Sequence, residues 1–448
     1  MTMPTWRKVL GVVLVVAAAI SITIAVSNWV RVTESQHYYA LGLKALNSGD
    51  YAKAIHYFIK SIGYDPHNWK AWYDLGVAVS EPDEYHRYFK VCGETFTDSN
   101  HPAMQVLYNL TIKAFKEVIK LNPKMAPLAW FGLGNAYFDY YCYYTNRAKY
   151  VLPAYLKALQ GKDVIYKYLG KEGLAALYTN LARTYLAMAE IQKARQYYVK
   201  AIKIYPIDTA YEHLMWVELE LGNYTGVLKL MRKYVSMWGF EADLALAPAS
   251  IAALKLGKYD LVLKYAGEII KHFPESDYLG EAYRLSAEVY LKEGLKAKAI
   301  QYLKKDVQVC TDVLQVGNFP IPGEVPPAWY ERGVAYYELA QITGNKTYYE
   351  LAAQNFLWLI DHPKVANREV AHRNYYLMAH AALACIYAQL GEFSKAKALL
   401  KKLINMLETN PDYTGWRKLI LKPMQNLYSE IAAGKAPKIP EILTELEH

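Results

Sequence analysis

The side chains able to do chemistry are scattered along this sequence. His362, His372 and His380 are loosely grouped, but no carboxylate stands at ligand spacing from them, so packing or surface roles are expected rather than a metal site. Cys92, Cys142, Cys310 and Cys385 lie far apart with no C-x-x-C pair, which argues against a zinc knuckle or a dithiol redox motif. No H-E-x-x-H, P-loop, G-x-S-x-G or dinucleotide fingerprint occurs. The expectation is a protein that is not an enzyme, with no cofactor, no metal and no small-molecule substrate. What remains is covalent modification: Asn109-Leu-Thr111, Asn223-Tyr-Thr225 and Asn345-Lys-Thr347 are sequons whose Asn109, Asn223 and Asn345 could accept N-glycans, the last two in predicted turns.

Without catalytic groups, the scaffold itself must carry the function. A hydrophobic content of 53% excludes a disordered chain, and 25 Gly with 19 Pro in 448 residues are too few for collagen-like or low-complexity sequence. The 42 tyrosines combine an aromatic body with a polar tip, which suits thin two-layer helical arrays. The net charge of +9 gathers on Lys193, Arg195, Lys200, Lys203 and again on Lys395, Lys397, Lys401, Lys402. These are expected to form a solvated outer face, and no motif points to a nucleic-acid partner.

Residues 1–8 form a short basic segment, and residues 9–30 contain no charge. As a helix this run reaches roughly 33 Å, enough to cross a hydrocarbon core of about 30 Å. A single-pass transmembrane anchor is expected, with a cleaved secretory signal as the alternative because Ala25-Val26-Ser27 has cleavage-site spacing. Arg7 and Lys8 precede the span, whereas Arg31 and Glu34 follow it, so the N-terminus is assigned to the cytoplasm and the rest to the extracytoplasmic side. The sequons fit that side, and Trp29 is placed as an interfacial anchor.

Residues 31–411 then repeat a pattern. Gly42, Ala45, Gly49, Ala54, Phe58 and Pro66 recur in kind as Trp72, Leu75, Gly76 with Phe115 and Pro123, then as Trp130, Leu133, Gly134, Tyr137. Tyr178, Leu181, Ala182, Tyr185, Ala194, Tyr198, Ala201 and Pro206 give a complete copy, and Gly222, Gly257, Gly294, Gly333 and Gly391 mark later ones. This resembles the tetratricopeptide-repeat (TPR) family, in which small residues at positions 8 and 20 let two helices approach and Pro at 32 ends the second. The resemblance implies an all-α, right-handed α-solenoid of about nine helix pairs, preceded by the transmembrane helix. Insertions are expected near 80–103, 138–165, 306–326 and 342–348, a capping helix over 412–432 interrupted by Pro423, and a frayed tail over 433–448.

In that family positions 2, 5, 9, 12 and 13 of the first helices line a concave groove. Carried over, they are Tyr39, Leu43, Tyr73, Val77, Phe131, Asn135 and Phe138, then Arg183, Trp216, Ile251, Arg284, Glu288, Tyr330, Val334 and Tyr337. Such a surface suits an extended peptide or amphipathic helix; the alternative is that a neighbouring superhelical turn or the inserts fill it. The chaperone-tail clamp is missing, since Tyr39, Leu43, Tyr73 and Val77 occupy its positions and only Asn135 followed by Arg183 resembles a fragment of it. The inserts are a second contact surface, and if the repeats lie outside they could join Cys92 to Cys142. The Pro-rich stretch 319–327 reads as a stiff connector. The function expected is a membrane-anchored scaffold that recruits a protein or peptide partner. A structural subunit of a larger membrane machine, or a cytoplasm-facing receptor, are the alternatives.

Overall fold

Apolar residues recurring every three to four positions, ended by Gly or Pro, produce a helix followed by a turn, and the chain does this repeatedly. The computed structural model describes residues 5–80, 102–140, 147–188, 190–238, 242–316, 326–366 and 374–440, and every regular element among them is helical. The chain divides into two units, residues 1–140 with 157–165 and residues 141–156 with 166–448.

The first unit holds α1 (Thr5–Asn47), α2 (Tyr51–Tyr64), α3 (Trp69–Ser80), α4 (Pro102–Leu121) and α5 (Ala126–Tyr140). The chain continues through α6 (Leu152–Gln160) and α7 (Lys162–Ala187), which bends at Gly170 where φ is +69°. The second unit runs on through α8 (Ile191–Ile204), α9 (Asp208–Glu220), α10 (Tyr224–Trp238), α11 (Asp243–Lys255), α12 (Tyr259–His272), α13 (Leu279–Lys292) and α14 (Lys296–Val316). It ends with α15 (Pro326–Thr343), α16 (Lys346–Asp361), α17 (Tyr375–Gln389), α18 (Phe393–Thr409) and α19 (Thr414–Ala432). Within each unit consecutive helices pack against one another, the helical-repeat arrangement that the sequence implies.

Two devices set the pair geometry. The first is a turn: Gly49 and Gly391 have φ of +71° and +78°, and the following amides of Asp50 and Glu392 reach back to Ala45 O and Tyr387 O at 3.0 and 2.7 Å. That left-handed residue satisfies the carbonyls at the end of one helix while the next begins two residues later. The second is a knob. Phe58, Phe115 and Phe356 are fully buried, and a Cβ added at Gly42, Gly76 or Gly333 would stand 2.5, 2.8 and 2.8 Å from their rings. Each glycine therefore makes room for an aromatic ring from the second helix of its own pair.

The tyrosines have a repeating role. Tyr185 packs on Tyr197, Tyr290 on Tyr302 and Tyr336 on Tyr348, with centroids 5.4, 5.0 and 6.2 Å apart. Lys193, Lys298 and Lys395 lie over Tyr185, Tyr290 and Tyr387 at 5.3, 3.9 and 5.4 Å. The basic second helices thus lay their ammonium groups on the rings of the first, each contact contributing about 0.5–1 kcal/mol at an exposed site. Arg195 departs from the expected solvated face: its Nε donates to Glu218 at 2.7 Å, and Asn223 Nδ2 donates to the same carboxylate.

Three boundaries differ from the sequence reading. Within the insertion expected near 306–326, residues 306–316 continue α14 as helix, with Cys310 and Leu314 buried. The helix α19 runs unbroken through Pro423, packing Trp416, Ile420, Met424 and Leu427 inward. Of the residues read as a frayed tail, Lys435–Pro440 are held against the array, as described below. Most of the insertion expected near 80–103 and most of the 319–327 connector lie outside the described residues, whereas near 342–348 only two residues separate α15 from α16.

Candidate functional site

The groove residues read from the repeats fall into two sets. In the first unit Tyr39, Leu43, Tyr73, Val77, Asn135 and Phe138 are half-buried, and Phe131 is buried. Tyr39 Oη donates to Asp74 Oδ2 at 2.7 Å, tying the first helices of adjacent pairs together. Burial raises Asp74 above the usual carboxylate range, opposed by the Tyr39 hydrogen bond and by Lys70, and raises the hydroxyls of Tyr39 and Tyr73 as well. The result is a half-accessible aromatic and aliphatic surface with one carboxylate held in place.

In the second unit Arg183 is half-buried and Glu288 exposed, but Trp216, Ile251, Arg284, Tyr330, Val334 and Tyr337 are buried. Packing against later pairs explains it. Trp216 of α9 stacks at 5.7 Å on Tyr278, just before α13, and Tyr330 of α15 meets Tyr375 of α17 at 5.7 Å, so rings from following pairs cover these positions. Arg284 lies 3.6 Å from Glu281 and beside fully buried Asp306, whose carboxyl burial drives well above its ordinary range. The array of this unit also curls until Glu190 meets Lys418 of α19 at 2.9 Å.

At the far end, side chains at positions assigned to the groove meet the C-terminal segment. After α19 the helix is ended by Gly434, where φ is +77°, and the non-helical residues that follow contact α17 and α15. Gln389 Nε2 donates to Ala436 O at 2.8 Å and Pro437 O at 3.2 Å, Cys385 Sγ lies 3.6 Å from Lys438 O, and Ile439 N donates to Tyr337 Oη at 3.3 Å. Ile439 is buried to 8% exposure, whereas Ala436 and Lys438 stay exposed. Cys385 and Gln389 stand at positions 9 and 13 of the ninth pair. Applying the same positional rule to that pair would have found both.

Of the modification sites, Asn109 is exposed within α4, whereas Asn223 and Asn345 stand at turns and cap α10 and α16 by accepting from Gly226 N and Thr347 N at 3.2 and 3.0 Å. Cys92 and Cys142 both lie outside the described residues; Cys310 and Cys385 are free and buried, and burial pushes both thiols upward. Among the described residues no group of three or more His, Cys, Asp or Glu is placed to hold a metal ion. His362 stacks on Trp358 at 4.2 Å, and His372 lies outside the described residues.

His380 is buried, with Nδ1 2.7 Å from Tyr376 O. Burial foremost, with Lys402 nearby, lowers its pKa from 6.5 to about 4. As pH falls below 6.5 the unfolded chain takes a proton that the folded chain refuses until about pH 4, so stability is lost across that window. The loss should approach about 3 kcal/mol near the lower end. Hydrogen exchange in α17 at pH 7 and pH 4.5 checks it: His380→Gln should show a shallower pH dependence, and equal slopes would refute the assignment.

The class this architecture defines is a helical-repeat protein whose surfaces serve contacts with other proteins. The profile described as "Tetratricopeptide repeat" matches residues 175–208 and 377–407, and that described as "Anaphase promoting complex subunit 8 / Cdc23" matches residues 19–126. The chain therefore carries tetratricopeptide repeats over those stretches. No curated protein matches it by sequence. Among solved structures it is similar to a tetratricopeptide repeat protein from Parabacteroides merdae, with 17% identity over 69% of this chain and 98% of that one at a TM-score of 0.44. It is also similar to pilF of Pseudomonas aeruginosa (14%, 55% and 95%, 0.41) and to yeast Tom70 (12%, 90% and 89%, 0.40). TPR proteins bind protein partners, and scaffold families of this type are generally non-enzymatic.

Proposed function

We propose that the chain is a single-pass membrane-anchored scaffold that holds a protein partner at the membrane surface, with its repeats on the extracytoplasmic side. The observation that carries this reading is the continuity of α1. Its apolar part, from Val13 onward, is long and apolar enough to cross a membrane and is not buried against the rest of the chain. The same helix continues without a break into the first repeat, where Arg31 Nε donates to Tyr64 O at 3.1 Å. Ser21 and Thr23 return their hydroxyls to Ala17 O and Ala19 O at 2.8 and 2.9 Å, which suits a helix in a medium without water.

A rigid junction of this kind would hold the half-accessible surface of Tyr39, Leu43, Tyr73 and Val77 at a fixed height above the bilayer. The partner expected there is a protein segment with apolar anchors, because that surface lacks the basic clamp for a terminal carboxylate. Protease treatment of sealed membranes tests the topology: repeats cleaved from the outer face without lysis support it, and repeats cleaved only from the cytoplasmic face overturn it. Crosslinking from a photoreactive group at Leu43 tests the surface. A discrete adduct with a co-purifying protein is expected, and adducts with lipid alone would count against partner docking there.

A further inference from the structure

The C-terminal segment makes the kind of contacts that a bound peptide makes. Three of its carbonyls and one amide are met by side chains at groove positions of the last two pairs, through Gln389, Cys385 and Tyr337. A single side chain, Ile439, is buried between two half-buried prolines, Pro437 and Pro440. Main-chain recognition with one apolar anchor is how grooves read extended segments, and proline keeps such a segment extended at low entropic cost. A segment built only to close the solenoid would bury more. That task already belongs to α19, which covers α18 with Trp416, Ile420, Met424 and Leu427.

We propose that residues 435–440 are a ligand held in cis by the groove of α15 and α17, displaceable by a partner segment of the same chemistry: a branched apolar residue flanked by proline. Release leaves Tyr337, Cys385 and Gln389 facing the partner. The short tether after Gly434 gives the cis segment an effective concentration in the millimolar range, so a partner must present several copies or bind more tightly than the tail does. The proposal rests on the reading of the array as a binder of protein segments, yet it concerns a surface remote in sequence from Leu43 and is independent of the membrane span.

The test uses the full chain and a fluorescent peptide with the sequence of residues 434–440. Wild-type chain should bind it weakly. Ile439→Asp, which releases the tail while leaving the groove intact, should bind at least tenfold more tightly, and adding Gln389→Ala should remove most of that gain. Equal affinity of wild type and Ile439→Asp, or a gain indifferent to Gln389→Ala, would overturn the proposal. A second measurement on wild-type chain covers a variant that fails to fold: excess unlabelled peptide should raise the exchange rate of the Ile439 amide several-fold, and an unchanged rate would overturn it equally. Neither result bears on protease topology or on crosslinking at Leu43.

Discussion

Arginine at both Val15 and Ile20 should move the protein from the alkali-resistant membrane pellet into the soluble fraction. Both residues lie in the exposed apolar run of α1, at 69% and 55% exposure. Exchanging an aliphatic residue for arginine at mid-span costs about 3–4 kcal/mol on insertion scales, so two exchanges approach about 6–8 kcal/mol before snorkelling relieves part of it. At about 1.4 kcal/mol per decade, even half that figure shifts partitioning by on the order of a hundredfold. Residues 13–30 do not pack on the repeats, so melting of the array in detergent should not change. A Val15→Leu/Ile20→Leu control should stay in the pellet. If the arginine variant also stays there, α1 is held by another protein rather than by lipid.

How far such reasoning could be carried from sequence depends on the residue. Leu181, Ala182, Ala194, Tyr198 and Ala201 stand at the repeat positions that the TPR resemblance marks, and all are buried. Steric demands at the contact between paired helices are local, so they leave a periodic trace. The groove positions obey a different rule. Tyr330, Val334 and Tyr337 share the register of Tyr39 and Leu43, yet they are buried because of what the neighbouring pair presents and because residues 435–440 lie alongside Tyr337. Residue type at those positions does not encode the neighbour. The docked tail left no trace at all, since a non-helical stretch stabilised by side chains from distant helices has no period of its own. The continuity of α1 was hidden for a related reason: its apolar character ends near Arg31 although its backbone geometry does not.

The largest effect inside the array should come from Phe115. Its ring, 1% exposed, is the point where three helices meet: a Cβ at Gly76 of α3 would stand 2.8 Å from it, and one at Gly132 of α5 only 2.3 Å. Tyr73 adds an edge contact at 5.9 Å. Replacing Phe115 by alanine leaves a cavity lined by two glycines that offer no side chain to collapse into it, so the cost should fall at about 3–5 kcal/mol, the range for phenylalanine truncations in cores. In a repeat array each pair is stabilised mainly by its neighbours, so the loss should appear as local opening. Amides of α3, α4 and α5 should exchange faster by two to three decades, an estimate of roughly 1.4 kcal/mol per decade, while α17 and α18 keep wild-type rates. Gly132→Ala should also destabilise, through overpacking rather than a void. The two errors are complementary, so Gly132→Ala in the Phe115→Leu background should cost less than in wild type. A double-mutant cycle with no coupling would show that Phe115 and Gly132 do not share the space the geometry assigns to them.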